Sequence, residues 1–573
     1  MKNNEIIKQL KLSAALMELH QDPAKSEEAF RIKGYNNAIF NIERLDQPLS
    51  KLSHEEICKI DGIGKSIASV IFEIINSGTS AFLVDLTQKT PLGILEMLKL
   101  KGIGPKKIRM IWDELKIETA PELLQACEEG RVRKLKGFGE KTEENIRQAL
   151  IYIASNKGKM LYYGAEKIAS LLEEELVALF PEALISIAGE LRRKLEIIDK
   201  IDFVVANENI PDTVERLNFL NTIKQDLKNS SPFTWRGHLS DESLKVEINL
   251  TDKSKFFNLL FLHTGAPAHL VHVLENNKTL LQLIKEKTFS SEESIYQEAQ
   301  LPFLVPELRE GLFEFNENVQ GSLQDLLKVE DLKGVIHSHS TYSDGKNTLR
   351  QMAEQCIKMG YGYLGITDHS KTAFYANGLD EFRILQQHLE IDALNKELVP
   401  FKIFKGIESD ILNDGSLDYS DEVLGMFDFI IASVHSNLNM DMSKATERLL
   451  KAVSNPYTTF LGHATARLLL RREGYPIDHK AVIDACAAHG VIIEINANPH
   501  RLDMDWRWVQ YAIEKGVRFS INPDAHEVET IQNMYYGVCV ARKGGLTKKD
   551  NFNCLSGEEV SSYFSMRKKT IKV

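Results

Sequence analysis

The sequence predicts a multidomain protein with an all-α N-terminal region, an α+β middle and a C-terminal α/β barrel. Residues 1–155 show helical apolar spacing, interrupted by three short Gly-x-Gly turns. Residues 156–318 mix strand-like apolar runs with helical segments. Residues 335–526 contain seven strand-length apolar runs, mostly separated by helix-length intervals. Repeated strand–helix units imply parallel strands joined by crossovers, so these runs predict a closed or nearly closed βα barrel.

The composition is that of an ordinary globular protein, and 573 residues suffice for several separate cores. The net charge of −11 means that any contact with nucleic acid must come from local basic patches. The six cysteines form no Cys-x-x-Cys pair, which predicts reduced thiols. The N-terminus has no apolar signal core, and no apolar run approaches membrane-spanning length. We therefore expect a cytoplasmic, nucleoid-associated monomer without a membrane partner.

Each of the seven apolar runs carries residue types that bind metal ions, most of them at its end. The runs are 335–339, 363–369, 402–410, 427–435, 460–463, 491–498 (which carries Glu494 and Asn496) and 518–526. In βα barrels the strand ends and following loops at one face build the active site, so these side chains should converge on one pocket. The candidate ligands are His337, His339, Asp344, His369, Glu408, His435, His463, Asp524 and His526.

This set combines imidazoles with carboxylates and contains no cysteine, which suits Zn, Mn or Fe and argues against a structural zinc site. Nine ligands are too many for one ion, so we expect two or three ions that share a bridging carboxylate, with Glu408 as the bridge. Such ions can generate hydroxide near neutral pH and stabilise both oxygens in phosphodiester hydrolysis. The alternative is that these polar residues are packed and hydrogen-bonded without binding metal. That alternative does not readily explain why all seven runs carry metal-ligand residue types.

Three similar turns, 60–65, 100–107 and 135–141, lie between helical segments in residues 1–155. Two glycines in each turn allow close backbone approach, and the next helix offers free N–H groups to a phosphate. One such turn could be a simple interhelix connection, but three with nearby lysines predict nucleic-acid binding, the second being the most basic. The candidate DNA-binding residues are Gly62, Gly64, Lys65, Gly102, Gly104, Lys106, Lys107, Gly137, Gly139 and Lys141.

The barrel motifs resemble the PHP phosphoesterase family in order and spacing. The matching segments are His337-Ser338-His339, Ser343-Asp344-Gly345, Thr367-Asp368-His369, Gly462-His463-Ala464-Thr465 and Asp524-Ala525-His526. The resemblance implies a distorted (β/α)7 barrel with a trinuclear metal site. The first ion would be held by His337, His339, Glu408 and Asp524, the second by Asp344, His369 and His526, and the third by His435, His463 and Glu408.

The same resemblance suggests a phosphate contact at Arg467, one helical turn past His463. Arg471 and Arg472 are either further phosphate contacts or part of a solvated helix face. The candidate catalytic residues are Glu408, Asp524, His435 and Arg467.

The three turns resemble helix-hairpin-helix motifs, which hold DNA backbones without reading sequence. Together with the turn 189–193, the strand 197–206 and the strand 245–250, they resemble a family X DNA polymerase, whose bacterial members carry a PHP domain. The resemblance implies an N-terminal helix-hairpin-helix domain, a fingers-like region, a polymerase-beta-like nucleotidyltransferase palm, a thumb-like domain, a linker and a PHP domain. Their expected boundaries are 1–90, 91–155, 156–260, 261–318, 319–333 and 334–573.

The palm-like segment departs from the pattern of that family at its carboxylates. Alignment from the Arg192-Arg193 pair puts Lys200, Asp202 and Glu247 at the three catalytic Asp positions, and Glu190 at the serine that would contact a triphosphate. A charged ammonium cannot coordinate Mg²⁺, and Glu190 would repel a triphosphate, so dNTP is a doubtful partner. Asp199 could substitute only if a bulge turned it toward Asp202. The degenerate polymerase site comprises Gly189, Glu190, Arg193, Lys200, Asp202 and Glu247.

These observations predict a DNA-repair enzyme that binds gapped, nicked or 3′-ended DNA and hydrolyses phosphodiesters, as a 3′–5′ exonuclease or 3′-end processing enzyme. Its polymerase core would be weak or inactive, and would need Mg or Mn if active. One alternative is an active gap-filling polymerase with PHP proofreading. A non-catalytic DNA-end-binding scaffold would have no use for the ligand set, and a small phosphoester substrate would leave the three hairpins unexplained.

Overall fold

A computed structural model describes residues 1, 3–21, 26–43, 45, 47–100, 103–241 and 243–571. The chain forms two compact units, Met1–Lys157 and Gly158–Val573. Gly102, one of the candidate DNA-binding residues, lies outside the described residues. Among the helices that are described, none alone has the length and apolar composition to cross a membrane, although Lys65–Ser77 and Ala81–Gln88, bent by 87°, pass that test as a pair.

The regular structure described in the first unit is helical. Its helices are α1 (Asn3–His20), α2 (Ser26–Ile42), α3 (His54–Ile57), α4 (Lys65–Ser77), α5 (Ala81–Gln88), α6 (Leu92–Met97), α7 (Pro105–Leu115), α8 (Ala120–Glu128) and α9 (Glu140–Ser155). α4 illustrates why they form: Ile67, Ile71 and Ile74 recur at helical spacing and are all buried in one core. α8 begins with a capping box in which Thr119 and Glu122 satisfy free backbone N–H groups.

The second unit opens with an α+β layer around a five-stranded sheet of order β2-β4-β7-β6-β5 in the described residues. Its elements are β1 (Met160–Leu161), α10 (Tyr162–Leu179), β2 (Leu184–Ala188), α11 (Gly189–Arg192), β3 (Ile197–Ile198), β4 (Lys200–Ala206), α12 (Ile210–Leu217), β5 (Ile223–Gln225), β6 (Thr234–Leu239) and β7 (Lys245–Thr251). The register places Asp202 beside Glu247 on β7 and beside Ala188 on β2. The palm-like residues singled out from the sequence therefore share one end of this sheet.

A small helical cluster follows, with its own buried core. Its helices are α13 (Phe256–Thr264), α14 (Pro267–Leu270), α15 (Leu280–Glu286) and α16 (Glu292–Glu298), and α17 (Glu317–Gln320) precedes the barrel. Arg192 of the palm-like layer donates to Glu292 at 2.5 Å, and the buried Arg309 donates to the same carboxylate. These charge-assisted bonds join the cluster to the sheet.

In the described residues from 334 onward, seven parallel strands follow one another in chain order from β8 to β14. The elements are β8 (Gly334–Val335), α18 (Leu349–Lys358), β9 (Tyr363–Ile366), α19 (Glu381–Glu397), β10 (Lys402–Asp410), α20 (Asp421–Leu424), β11 (Phe429–Ser433), α21 (Met442–Ser454), β12 (Phe460–Leu461), α22 (His479–His489), β13 (Ile492–Asn496), α23 (Val509–Glu514), β14 (Phe519–Asn522), α24 (Met534–Lys543) and α25 (Gly557–Ile571). A parallel bridge between Ser338 and Ala525 joins the first strand to the last. The barrel predicted from the sequence is confirmed, in a nearly closed form.

The amino ends of the barrel strands are sealed by aromatic packing. Phe429 and Phe460 begin their strands and are buried together with Phe564 of α25, which stacks on Phe429 at 5.0 Å between ring centroids. Apolar packing at this end leaves the carboxyl ends of the strands for chemistry, the arrangement expected of βα barrels.

Helix α24 carries a lysine that is buried against the palm-like layer. Lys543 Nζ donates to the backbone carbonyl of Arg193 at 3.0 Å, contacts the Glu310 carboxylate and lies 4.5 Å from the ring centre of Trp506. Arg193 Nε lies 2.9 Å from the same Glu310. Burial lowers the pKa of Lys543 to about 8, although Glu310 acts in the opposite direction. An arginine of the polymerase-like motif thus shares one carboxylate with the barrel.

Candidate metal centre and nucleic-acid interface

The carboxyl ends of the barrel strands bring the nine predicted ligands into one cluster. Glu408 lies on β10, and the other eight follow the ends of β8, β9, β11, β12 and β14: His337, His339, Asp344, His369, His435, His463, Asp524 and His526. Seven of them are buried or nearly so, whereas the side chains of Asp344 and His526 are each 36% exposed. Parallel strands end at the same edge, which explains why residues so distant in sequence meet.

Glu408 occupies the centre of this cluster. Its Oε1 lies 3.0 Å from His463 Nε2, 3.2 Å from His435 Nε2 and 3.5 Å from His337 Nε2. Its Oε2 lies 3.0 Å from His369 Nδ1 and 3.6 Å from His339 Nε2. Imidazoles on both oxygens are the surroundings that a bridging carboxylate requires.

The ligand atoms fall into three overlapping groups, each with all atoms within 4.8 Å of one another in the described residues. The groups are His339, Asp344, His369 and His526; His337, His339 and Asp524; and His369, Glu408 and His435. The first two overlap with two of the ligand sets implied by the family resemblance, but His339 is added to the group of Asp344 and Glu408 is absent from the group of His337. In the third group His369 stands where His463 was implied, while His463 remains beside Glu408.

The donor set fits divalent cations. Within the described chain, buried atoms with no hydrogen-bond partner include His337 Nε2, both ring nitrogens of His339, His369 Nδ1 and Glu408 Oε2. Leaving such a buried atom unpaired costs about 1–3 kcal/mol. Ligands that bind one ion at roughly 2.1 Å in tetrahedral geometry stand roughly 3.4 Å apart, close to the separations around Glu408. Coordination would therefore satisfy atoms that the protein itself leaves unpaired.

The electrostatics keep the carboxylates ionised. Burial opposes ionisation of Glu408, but His435, His337 and His369 outweigh it and hold its pKa well below the usual range. Burial lowers the pKa of His339 to about 3, and the neighbouring His526 adds to that effect. Ionised carboxylates and neutral imidazoles are the forms that bind metal ions. The neighbouring carboxylates outweigh burial and raise the pKa of His435 to about 10 and that of His526 to about 9, so these two imidazoles would each lose a proton on binding a metal ion.

Two further carboxylates orient the candidate ligands. Glu494 on β13 accepts from His337 Nδ1 at 2.6 Å and from the backbone N–H of His463 at 3.0 Å. Asp410 accepts from His435 Nδ1 at 2.5 Å. Such partners fix the tautomer and ring orientation of a ligating histidine. Sequence reasoning noted Glu494 at the end of a strand but omitted it from the ligands, and it gave no role to Asp410.

The guanidinium of Arg467 binds residues outside the cluster of candidate metal ligands. Its guanidinium lies 3.0 Å from Asp505, and it donates to the backbone carbonyls of Arg501 and Leu502. Arg501 comes closer to the ligands, because its Nε is 3.6 Å from Asp524 Oδ2. In the part of the chain that is described, the buried Nη1 of Arg501 has no hydrogen-bond partner. A phosphate contact at Arg467 stays a prediction, and Arg501 is better placed for that role.

The palm-like site differs because a lysine lies among its carboxylates. Lys200 Nζ is 2.7 Å from Asp202 Oδ1 and 3.3 Å from Glu247 Oε1, and Arg236 Nε is 2.9 Å from the other oxygen of Glu247. Burial acts to lower the pKa of Lys200, but the two carboxylates outweigh it and raise the pKa. The ammonium therefore stays charged between two residues that a divalent ion would need.

The backbone around Gly189 packs tightly against Asp202. Gly189 has a φ of +64°, and a Cβ there would stand 2.2 Å from Asp202 Oδ2, so the turn requires glycine. Glu190 accepts from the backbone N–H of Asp199 at 2.8 Å. The Asp199 carboxylate lies 3.7 Å from Lys159 Nζ, as expected of a side chain that points away from Asp202.

The three predicted hairpins place glycines at the starts of helices. Gly64, Gly104 and Gly139 are the N-cap residues of α4, α7 and α9, and none of these described caps has a side-chain hydrogen bond. First-turn backbone N–H groups are therefore available to an anion, except at Pro105, which has none, and at Lys107, whose N–H donates to the Gly104 carbonyl at 3.0 Å. Gly62 and Gly137 adopt positive φ angles of 73° and 81° within the preceding turns.

The lysines beside the hairpins differ in their surroundings. Lys65, Lys106 and Lys141 are exposed, whereas Lys107 is half-buried and lies 5.3 Å from the ring centre of Phe138. Lys106 is 3.6 Å from Glu18, yet 76% of its side chain remains exposed. α9 carries Glu140 and Glu143 in its first turn, while α7 has no acidic residue there. α4 also has no acidic residue in its first turn, but it has one lysine there where α7 has two, so the second hairpin is electrostatically the most favourable for a phosphate.

Family comparisons agree with this arrangement. A helix-hairpin-helix domain matches residues 1–80, a SAM-like helix-hairpin-helix tandem matches residues 94–150, and the PHP domain matches residues 336–498. A protein of Bacillus subtilis (strain 168), named DNA polymerase/3′-5′ exonuclease PolX, is 36% identical over 574 residues, which cover 98% of this chain and 99% of that protein. The chain belongs to the PolX family.

Other relatives of this PolX family member cover a smaller part of it. A protein of Thermoanaerobacter sp. (strain X514), named as a probable phosphatase, is 26% identical over 253 residues, 42% of this chain and 98% of the relative. A protein of Caldanaerobacter subterraneus subsp. tengcongensis with a similar name is 26% identical over 201 residues, 33% of this chain and 74% of the relative. The family resemblance inferred from the sequence is thus confirmed over nearly the whole chain.

Proposed function

We propose that this PolX family member is a DNA-repair enzyme that binds gapped, nicked or 3′-ended DNA and hydrolyses phosphodiesters at its PHP metal centre. The reaction would be 3′–5′ exonucleolytic or a trimming of 3′ ends. The observation that carries the proposal is the convergence of nine ligand-type side chains, several with unpaired buried atoms, at the carboxyl ends of the barrel strands. The domain boundaries 1–90, 91–155, 156–260, 261–318, 319–333 and 334–573 belong to the same proposal.

The nine ligands would hold two or three Zn, Mn or Fe ions, with Glu408 as the bridge. When bound, such ions polarise a phosphoryl oxygen and lower the pKa of water. Glu494 and Asp410 hold His337 and His435 in the tautomers that leave Nε2 free as a ligand. Arg501 binds the scissile phosphate through its unpartnered Nη1, since a guanidinium is suited to phosphate oxygens.

The helix-hairpin-helix segments supply affinity for DNA. Free N–H groups after Gly64, Gly104 and Gly139 favour backbone phosphates, and such contacts position a duplex without reading its sequence. Lys65, Lys106, Lys107 and Lys141 would add to the attraction. This recognition suits a repair enzyme, which must act on any sequence.

A second candidate function, gap-filling DNA polymerase with PHP proofreading, is favoured by the similarity to the Bacillus protein named DNA polymerase/3′-5′ exonuclease PolX. Against it, Lys200 neutralises Asp202 and Glu247, the two carboxylates on which metal-dependent nucleotidyl transfer would depend. We therefore assign the palm-like layer a weak or absent polymerase activity that would need Mg or Mn.

Metal analysis together with DNA digestion tests the proposal. Purified full-length protein is incubated with end-labelled single-stranded, recessed and gapped DNA, with and without a chelator. We expect more than one transition ion per chain, shortening from the 3′ end, and complete loss of cleavage with the chelator. Binding of DNA without cleavage by metal-loaded protein would favour the scaffold alternative. Hydrolysis of a small phosphoester alone would favour the small-substrate alternative.

A further inference from the structure

The loop that follows His369 is closed at its base. This aromatic loop, residues 370–379, begins and ends at a parallel bridge between Ser370 and Leu379. The Leu379 N–H donates to the carbonyl of His369 at 2.8 Å, so the far end of the loop returns to a candidate metal ligand. Inside the loop, the N–H groups of Ala376 and Gly378 donate to the Ala373 carbonyl at 3.0 and 3.1 Å. The loop is therefore a compact turn with its own hydrogen bonds.

Contacts from outside hold the aromatic loop in place. Asp418 accepts from the backbone N–H of Thr372 at 2.7 Å, and the Tyr419 hydroxyl accepts from the N–H of Lys371 at 3.1 Å. Arg383 of α19 donates to the Asn377 carbonyl at 2.9 Å. A Cβ at Gly378 would stand 1.8 Å from the Ser370 carbonyl oxygen, so the backbone passes close to itself there. Its conformation is set before any ligand arrives.

The aromatic loop buries three aliphatic side chains and exposes its two aromatic ones. Ala373, Ala376 and Leu379 are at most 1% exposed, whereas Phe374 is 86% exposed and Tyr375 is 71% exposed. A single exposed apolar residue is unremarkable, but two adjacent aromatic rings on a rigid support form a preorganised contact surface. A flat apolar ligand can bind there at little conformational cost.

Tyr375 faces the metal centre. Its ring centroid lies 6.3 Å from that of His369. The Tyr375 ring therefore lies beside a candidate ligand of the metal centre.

We propose that Phe374 and Tyr375 stack on unpaired nucleobases beside the scissile phosphodiester, so that the PHP site takes single-stranded 3′ ends. The inference rests on the proposed nuclease function and names the form of its substrate. Stacking suits an enzyme that ignores sequence, because every base has an aromatic face. Bases inside a duplex are stacked on one another, so a paired end must fray before it reaches these rings.

Three substrates and five proteins test the stacking. The substrates are an end-labelled single-stranded oligonucleotide, the same oligonucleotide ending in two abasic residues, and bis-p-nitrophenyl phosphate. The proteins are the unmodified full chain, Phe374→Ala with Tyr375→Ala, Tyr375→Ala alone, Tyr375→Phe, and Leu389→Ala. Leu389 on α19 is 71% exposed, like Tyr375, and controls for loss of an exposed apolar side chain.

We expect the double variant to lose about tenfold to hundredfold in kcat/KM on the normal oligonucleotide, since stacking on each base contributes binding energy of that order. Tyr375→Phe keeps the ring and should retain far more activity than Tyr375→Ala. The abasic end offers no base to stack, so it should be a poor substrate for every protein and should not distinguish the variants.

Each contrary outcome identifies what fails. Equal fold losses by the double variant on the normal and the abasic oligonucleotide would refute stacking in favour of a structural role for the loop. Full activity of the double variant on the oligonucleotide would refute it as well. If the unmodified protein hydrolyses bis-p-nitrophenyl phosphate but not DNA, the proposed nuclease function itself fails, independently of the variants.

Discussion

The second unit contains two clusters of metal-binding residue types, and they are built in opposite ways. At the barrel ends, imidazoles surround Glu408, and buried nitrogens such as His337 Nε2 have no hydrogen-bond partner among the described residues. In the palm-like sheet, Asp202 and Glu247 are already paired with Lys200. The ammonium of Lys200 lies within the second cluster, whereas several buried ligand atoms of the first have no hydrogen-bond partner among the described residues.

The difference shows that ligand types alone do not make a metal centre. Carboxylates that face an internal ammonium have their charge compensated, and an incoming ion must displace that ammonium or share the site with it. Buried imidazole nitrogens have no such compensation, so coordination removes a free-energy cost that the fold otherwise carries. The barrel cluster should thus bind metal strongly, and the palm-like cluster weakly.

The largest effect is expected from removing ligands in the barrel. His337→Ala with His339→Ala should lower nuclease activity on the order of a thousandfold or more, because stabilisation of phosphoryl charge by bound metal contributes several kcal/mol. DNA binding, measured by fluorescence anisotropy, should be unchanged, since the hairpins lie in the other unit. Unchanged nuclease activity in this double variant would refute the assignment.

The palm-like site should respond in the opposite direction. The unmodified protein should incorporate dNTP weakly or not at all on a gapped primer. Lys200→Asp with Glu190→Ser and Glu247→Asp should raise incorporation, on the order of a hundredfold if one mispaired charge costs several kcal/mol. Adding Asp202→Ala to that variant serves as the matched control and should remove the gain.

Robust Mg²⁺-dependent gap filling by the unmodified protein, lost on Asp202→Ala, would contradict the conclusion that Lys200 keeps the palm-like cluster from binding metal. It would mean that the ammonium of Lys200 moves aside when metal and nucleotide bind. No gain in the triple variant would leave the loss of activity unexplained by these three positions.

A smaller effect is expected at the orienting carboxylate of the barrel. Glu494→Gln weakens the acceptor of His337 Nδ1 and should reduce metal affinity by about 10–100-fold, as measured by competition with a chelator. Glu422→Gln, an exposed position on α20, is the control and should leave the affinity unchanged. Equal affinities for the Glu494 variant and the unmodified protein would mean that His337 needs no orienting partner.

The smallest effect is expected at the second hairpin. Lys106→Ala with Lys107→Ala should weaken DNA binding about equally across sequences. Each lost phosphate contact should reduce the slope of log K against log salt concentration by about 0.9. Lys89→Ala, at an exposed position after α5, is the matched control. A loss confined to certain sequences would contradict a role limited to the DNA backbone.

Sequence predicted most of the barrel because its signals are local. Each strand is a short apolar run, and most candidate ligands come at or just after its end. The convergence of His337, His369 and Asp524 could therefore be inferred. The role of Glu494 could not be inferred, because a carboxylate at a strand end is equally consistent with a metal ligand and with a hydrogen-bond partner of a ligand. The orientation of its side chain toward His337 Nδ1 depends on packing between strands that are distant in sequence.

Loops and pairings of long side chains were harder to infer. Arg467 follows a ligand in sequence, yet its guanidinium is held by Asp505, and Arg501 from another loop lies beside Asp524. Alignment placed Lys200 at a catalytic position, but only the register of β4 against β7 shows its ammonium between Asp202 and Glu247.

The buried contact between Lys543 and Glu310 limits how the chain can be divided. A fragment that starts at residue 334 would keep Lys543 and Trp506 but lose Glu310 and the carbonyls of Arg193 and Glu307 that surround the ammonium. An apolar and aromatic surface with a lysine at its centre would then face water. The palm-like layer thus covers part of the barrel surface, and this structural role does not depend on its catalytic activity. Loss of polymerase activity would not make the layer dispensable.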